Sequence, residues 1–336
     1  MRSVNNRIAR PPSGVTKSGN QISKSYGKLK KTVIAAAIIL VALPSLVFAQ
    51  GVDSTVSVTT VVTVMGSNHS APPAIAKEDV NVTEGKTRLN VTGWALVQSS
   101  GHGQLQLAIL IDNALRTSIE GQQIEDLRNF ITSLPPSTSV GVFYGMNGAA
   151  DPAAPFSTDH QAVAEKLRLS MGRSGGDSPS IYLSLADLVS HWEPQAYTRR
   201  EVLLLSSGVD ALNPGVEDPY FDSTLDKVQT AGVVVHTIYD GTNRFGSTFR
   251  GDISQGKLVQ ITSESGGEGF FDGDGAPVSI APYLNQLNQI LANQYLLTFT
   301  TAPSKHEKGE LRSIEIRLEQ RDVKVSYPKR ILVPGN

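Results

Sequence analysis

The chain has no cysteine, which excludes disulfides, thiolate metal sites, a cysteine nucleophile and a lipid anchor on cysteine. Its histidines, at 69, 102, 160, 191, 236 and 306, form no HxxxH or HExxH pair. There is no GxSxG, no P-loop and no GxGxxG after a strand, so the common hydrolase, nucleotide and dinucleotide signatures are missing. Acids are missing from one end only. Residues 1–49 hold eight of the 30 Lys and Arg and none of the 31 Asp and Glu, so everything after them is net acidic. An acidic remainder argues against nucleic acid as a partner, whose footprint is a basic face.

What is present is a globular composition, 40% hydrophobic and 18% charged over 336 residues, enough for one large domain or two ordinary ones. Lys28, Lys30 and Lys31 precede an apolar core from Thr32 to Phe48, and Val47-Phe48-Ala49 supplies a cleavage site. This is the layout of a secretory signal peptide with a long basic leader, with an uncleaved membrane anchor as the alternative. Either way residues 50–336 are expected outside the cytoplasm: periplasmic, extracellular or attached to the envelope. Membrane contact is expected only through the leader, if it is uncleaved.

Leu105 to Ile111 is a short apolar run of the kind that forms a strand covered on both faces, and it ends on Asp112. From there strand and helix signals alternate. A helix is expected between Ile119 and Leu134, a strand at Val140–Tyr144, an edge strand at Ala149–Phe156 and a helix from Asp159 to about Leu169. A helix from Ser180 to Trp192 and a buried strand Glu201–Ser206 follow, then a helix Pro219–Ala231 closed by Gly232, and a strand Val233–Tyr239. Lys257–Ser265 and Ile280–Ala292 read as helices and Gln294–Thr300 as the strand that closes the sheet. The fold class is therefore α/β: a doubly wound, mostly parallel sheet with helices on both faces. Upstream, Asp79–Thr83 and Thr87–Val91 flank a Gly85 turn and read as a hairpin. Downstream, Arg312–Leu318 and Lys324–Val333 return to strand. The expected organisation is a leader over 1–49, a flexible segment over 50–76 and an accessory β hairpin over 77–100. The α/β domain covers 101–301, and strands over 302–336 pack with the hairpin in a small accessory β layer.

The segments LAILID (107–112), SVGVFYGMNG (139–148), REVLLLSSGVD (200–210), AGVVVHTIY (231–239), SGGEGFF (265–271) and APYLNQLNQILANQYLLTF (281–299) together resemble the von Willebrand factor A (vWA) family. With the β segment KEDVNVTEGKTRLNVTGW (77–94) ahead of them, the similarity is to its bacterial VWFA-related branch of acidobacterial type. That family holds a divalent cation with Asp-x-Ser-x-Ser after the first strand, a Thr in a later loop and an Asp after the fourth strand. Here the motif is degraded: Asp112 matches, Ala114 and Arg116 stand at the serine positions, the Thr position falls near Ser180, and Ser207 replaces the late Asp. Too few hard oxygen ligands remain for Mg²⁺. Arg116 could place its own cation there and pair with Asp112, whereas Asp210 could restore a ligand. The expectation is no metal and no cofactor, with Asp112 as the weak candidate ligand and Mg²⁺ or Mn²⁺ as the alternative. Asp272-Gly273-Asp274-Gly275 begins like a calcium loop but Ala276 breaks it, so it reads as a turn.

The resemblance implies a non-enzymatic protein-binding or adhesion module at the cell envelope, meeting a protein or peptide through the loops at the carboxyl ends of the strands. Its binding face is expected to comprise Asp112, Asn113, Arg116, Ser180, Ser207 and Asp210. The alternatives are a structural envelope or extracellular matrix component without a discrete ligand, and a hydrolase using Ser207.

Overall fold

The computed structural model describes residues 54–66, 70, 72–97, 103–113, 121–170, 180–193, 198–210, 212–213, 215–241, 248–271 and 277–335. The leader, Arg116 and the 272–275 turn lie outside the described residues.

The parallel sheet is built on β5 (Gln104–Asp112). Beside it lie β6 (Ser139–Met146) and β8 (Thr198–Ser206), both parallel to it, and beyond β8 come β9 (Val234–Tyr239) and the short β10 (Gly269–Phe270). Only β7 (Ala149–Ser157) runs antiparallel, as the edge partner of β6. The order across the sheet is β10-β9-β8-β5-β6-β7. Counted within this sheet it is the doubly wound order 3-2-1-4-5-6, whose direction of winding reverses between β5 and β8.

Alternation along β5 explains the two helical layers. Leu105, Leu107, Ile109 and Ile111 face one apolar cluster with helices α1 (Gly121–Ser133) and α6 (Ala281–Ala292). Ala108 and Leu110 face the other, with α3 (Ile181–His191), α4 (Pro219–Ala231) and α5 (Thr248–Ser265). Both faces are covered, so the strand is apolar without a break from Leu107 to Ile111, as buried parallel strands are. Helix α2 (His160–Ala164) is far shorter than the expected 159–169 helix. Beyond it the chain leaves the helix and Tyr144 engages Arg168: Tyr144 Oη donates to the Arg168 carbonyl and accepts from its N–H at 2.8 Å. No described helix is long and apolar enough to cross a membrane.

Two expectations are corrected in the accessory layer. Residues 50–76 were expected to be a flexible segment, but β1 (Val56–Gly66) is a strand whose Val58, Val62 and Val64 are buried. Its partner lies far away in sequence. It pairs antiparallel with β11 (Gln294–Thr301) from Val56↔Thr301 to Thr63↔Gln294. Hence β11 does not close the parallel sheet; it sits inside a second sheet of order β14-β1-β11-β4, with β4 at Asn90–Leu96 and β14 at Val323–Ser326. The apolar face of β11, with Tyr295, Leu297 and Phe299, is completed by Val62 and Val64 rather than by the parallel strands. The hairpin strand β2 (Val80–Glu84) turns through Gly85 at φ 59° into β3 (Thr87–Arg88) and pairs on its other side with β13 (Glu315–Leu318). β12 (Glu310–Ser313) pairs with β15 (Arg330–Val333). These strands enclose a third apolar cluster of their own.

A buried polar network at the amino end of the parallel strands joins the two sheets. The Glu201 carboxylate accepts from His236 Nε2 at 2.8 Å and Gln294 Nε2 at 3.2 Å, and lies 3.5 Å from Arg199 Nη1. Gln294 Nε2 also reaches Thr63 Oγ1 on β1 at 3.3 Å. The Glu268 N–H donates to His236 Nδ1, so the ring carries its proton on Nε2. Burial drives the Glu201 carboxyl upward, but the His236 bond, the charge of Arg199 and the Gln294 bond together hold it below the usual range.

Candidate functional site

The carboxyl ends of β5 and β8 meet at the point where the winding reverses, the place where open α/β sheets form a ligand crevice. Ile111 is opposite Leu205, so the next residues, Asp112 and Ser206, become neighbours across the strand pair. Ser206 Oγ donates to Asp112 Oδ2 at 2.7 Å and accepts from the Gly208 N–H at 2.9 Å. Gly208 has φ 68°, and a Cβ there would stand 2.7 Å from the Ser254 carbonyl, so glycine is required at this turn. Ser180 is the N-cap of α3; its hydroxyl accepts from the Leu183 N–H and donates to Asp210 Oδ2 at 2.5 Å. The other oxygen of Asp210 accepts from the N–H groups of Leu212 and Asn213, which shapes the loop after β8. Tyr182, one turn into α3, donates to the Gly208 carbonyl at 3.1 Å. Burial pushes its phenol well up, with the carboxylates of Asp210, Asp218 and Asp112 adding to the effect.

Of the six residues expected on this face, Asp112, Ser180 and Asp210 belong to one hydroxyl–carboxylate cluster with Ser206. Asn113 flanks it: its N–H donates to the Gly145 carbonyl at 3.1 Å and its Oδ1 accepts from Arg168 at 3.3 Å. Ser207 corrects the expectation. It is half-buried and its hydroxyl accepts only a local N–H, from Val209 at 3.4 Å, while Ser206 takes the position facing Asp112. The physical reason is register, because the run Val202–Leu205 ends one residue before Ser206 just as the β5 run ends before Asp112. Aligning the two apolar runs by their last residue would have found Ser206. Arg168 was missed as well; its guanidinium lies 3.8 Å over the Tyr144 ring beside Asn113.

The carboxylates at this pole are engaged by neighbouring donors. Asp112 and Asp210 each spend an oxygen on a serine hydroxyl, and the second oxygen of Asp210 is taken by two N–H groups. Positions 114 and 116, Ala and Arg, carry no oxygen ligand, and the described residues contain no cluster of three or more His, Cys, Asp or Glu able to hold a metal. The buried cation in this region, Lys257, is committed to Asp218 Oδ2 at 2.6 Å and the Asn213 carbonyl at 3.1 Å. Burial raises the Asp218 carboxyl, but Lys257 and the Phe221 N–H pull it below its usual range.

Around these buried groups the rim is apolar. Met146 ends β6, Leu169 leads toward α3, Leu212, Val216 and Tyr220 line the passage from β8 into α4, and Val278 precedes α6. All are exposed, Val216 at 74% and Val278 at 86%. Among the described residues they account for every large exposed apolar side chain except Val259 on α5.

No protein-family model matches the chain, and no curated protein sequence matches it. Solved structures do. The VWA domain of SpRpn10 is 15% identical over 55% of this chain and 95% of its own, with a TM-score of 0.37. The pilus adhesin SpaC of Lactobacillus rhamnosus GG, in its open conformation, is 12% identical over 80% of this chain and 43% of its own, TM-score 0.43. The mussel byssus proximal thread matrix protein 1, with a zinc-occupied MIDAS motif, is 14% identical over 62% of this chain and 49% of its own, TM-score 0.40. These likenesses are distant, and the strand order carries the assignment instead. With its doubly wound sheet and single antiparallel strand at one edge, the α/β unit has a Rossmann-like fold.

Proposed function

We propose that this chain is an exported, non-enzymatic binding module that recognises a protein or peptide at the carboxyl face of its parallel sheet, without a metal ion. The observation that carries the reading is the gathering of exposed Met146, Leu169, Leu212, Val216, Tyr220 and Val278 at the strand end, loops and helix start of that one face. Scattered apolar side chains need no explanation, but their concentration at the ligand-binding pole of a doubly wound sheet favours a macromolecular partner. Beneath them, the Ser206–Asp112 and Ser180–Asp210 bonds hold the strand ends and the loop after β8 in place. Degeneration of the cation motif supports metal independence. Against hydrolysis by a serine–histidine pair, no described histidine hydrogen-bonds Ser206 or Ser207.

The test is capture from native envelope on the immobilised full chain, beside the double variant Val216→Asp, Tyr220→Asp and with chelator in a parallel arm. A stoichiometric partner that survives chelator and is lost with the variant supports the reading. A partner retained by the variant moves the interface elsewhere, and one lost in chelator restores a cation. No stoichiometric partner at all favours the structural envelope component.

A further inference from the structure

At the opposite pole of the sheet a cavity of about 570 Å³ opens between the amino end of β5, the last turns of α1 and α6 and the end of β4. Its volume is in the range of small-molecule sites. The walls are largely apolar, from Val97, Leu105, Leu134, Pro135 and Leu291, with hydroxyls of Ser133, Ser137 and Thr138 at one side. Among the described residues one charged side chain borders it. Arg199 is 8% exposed, and its guanidinium lies between two residues that also line the cavity: Nε donates to the Gly103 carbonyl at 2.8 Å and Nη1 to the Leu291 carbonyl at 3.2 Å. Nη1 also bonds Gln294 and faces Glu201. Among the described residues nothing accepts a hydrogen bond from Nη2. Nη2 is not among the buried side-chain atoms left without a partner, so it stands open to solvent and can donate to an acceptor in the cavity.

The geometry points to a binding site here for a small molecule with an apolar body and a carboxylate, the body lying against Leu105, Leu134 and Leu291 and the carboxylate accepting from Arg199 Nη2. Charge-assisted bonds from guanidinium to carboxylate are short and directional, and in a largely apolar pocket one such group fixes orientation. The site is independent of the carboxyl face, so the two stand or fall separately.

The experiment is isothermal titration of the full chain with 4-phenylbutyrate and, separately, with 4-phenylbutanol, which has the same apolar body without the charge. The acid is expected to bind with one-to-one stoichiometry and at least about tenfold more tightly than the alcohol. Asn288→Trp, which fills the cavity from the half-buried face of α6 without touching the Arg199 bonds, is expected to abolish both. Arg199→Gln is expected to erase the preference for the acid; if that variant fails to fold, Asn288→Trp and the acid–alcohol ratio still decide. No saturable binding of the acid, equal affinity for acid and alcohol, or unchanged binding by Asn288→Trp would each overturn the assignment.

Discussion

The buried carboxylates at the strand ends are answered differently at the two poles of the parallel sheet, although Asp218 at the start of α4 keeps a cation of its own in Lys257. At the amino pole Glu201 meets Arg199, His236 and Gln294, so a cation and two further donors neutralise and orient it. At the carboxyl pole Asp112 and Asp210, 4% and 3% exposed, are met by the hydroxyls of Ser206 and Ser180 and by backbone N–H groups. A carboxylate with its cation beside it is a fastener, and removing it strands the cation. One held by hydroxyls orders its loops at a smaller energetic stake, which suits a face that must accommodate something else.

That contrast is broken first at the amino pole. Glu201→Leu leaves Arg199 buried without its counter-charge and His236 without its acceptor, and is expected to cost about 3–5 kcal/mol in urea unfolding. A loss under about 1 kcal/mol would mean the network does not fasten the two sheets. Next comes Asp126, whose Oδ2 reaches across from α1 to accept from the Ile280 and Ala281 N–H groups at the start of α6 and from Ser279 Oγ. Asp126→Ala is expected to cost about 1–3 kcal/mol by uncapping that helix. Burial pushes the Asp126 carboxyl up, but the Ser279, Gln122 and backbone bonds bring it below its usual range. The Asp126 and Glu201 carboxyls both titrate lower in the folded chain than in the unfolded one. Their contribution is therefore complete above the unfolded values near pH 4 and is lost as pH falls through the folded ones. Unfolding midpoints measured from pH 6 down to pH 2.5 should drop in this range, and more shallowly in Asp126→Asn.

The effects shrink at the carboxyl pole. Asp112→Asn keeps an acceptor for Ser206 and should cost about 1 kcal/mol or less in the same urea assay. A cost rivalling that of Glu201→Leu would erase the distinction between the poles. The smallest expected signal is none: calorimetric titration of Mg²⁺, Mn²⁺ and Ca²⁺ into the full chain should give no binding heat. Heat that disappears in Asp112→Ala would show that Asp112, too, is completed by a cation.

Much of the α/β unit could be read in advance because its signals are local. The Leu105–Ile111 run, the Asp218 cap with Pro219 and Gly232 around α4, and Ser180 opening α3 each declare themselves within one element. What escaped is non-local. The Thr/Val run of β1 has no neighbour in sequence to complete its apolar face, since its partner β11 begins at Gln294. Nor does alternation of strand and helix say which sheet a strand joins, so β11 was placed with the strands before it. In the site, Asp112, Ser180 and Asp210 were legible as oxygen-bearing residues at element ends. Ser206 displaced Ser207 because inter-strand register, set by Ile111 opposite Leu205, decides which serine faces the acid.

The path of the chain through its second sheet bears on the order of events as the protein forms. β4 and β11 lie side by side, with Leu96 opposite Tyr295, so the whole α/β unit leaves the β layer and returns to it at adjoining rungs. β1, the first described strand, cannot find its mate until Gln294–Thr301 has been synthesised. Contacts of such separation carry a large loop-closure cost while the intervening chain is unfolded. Collapse of the α/β unit shrinks that loop to one rung's width. The β layer is thus expected to be the last part to close on a growing chain, around an α/β unit that has already folded.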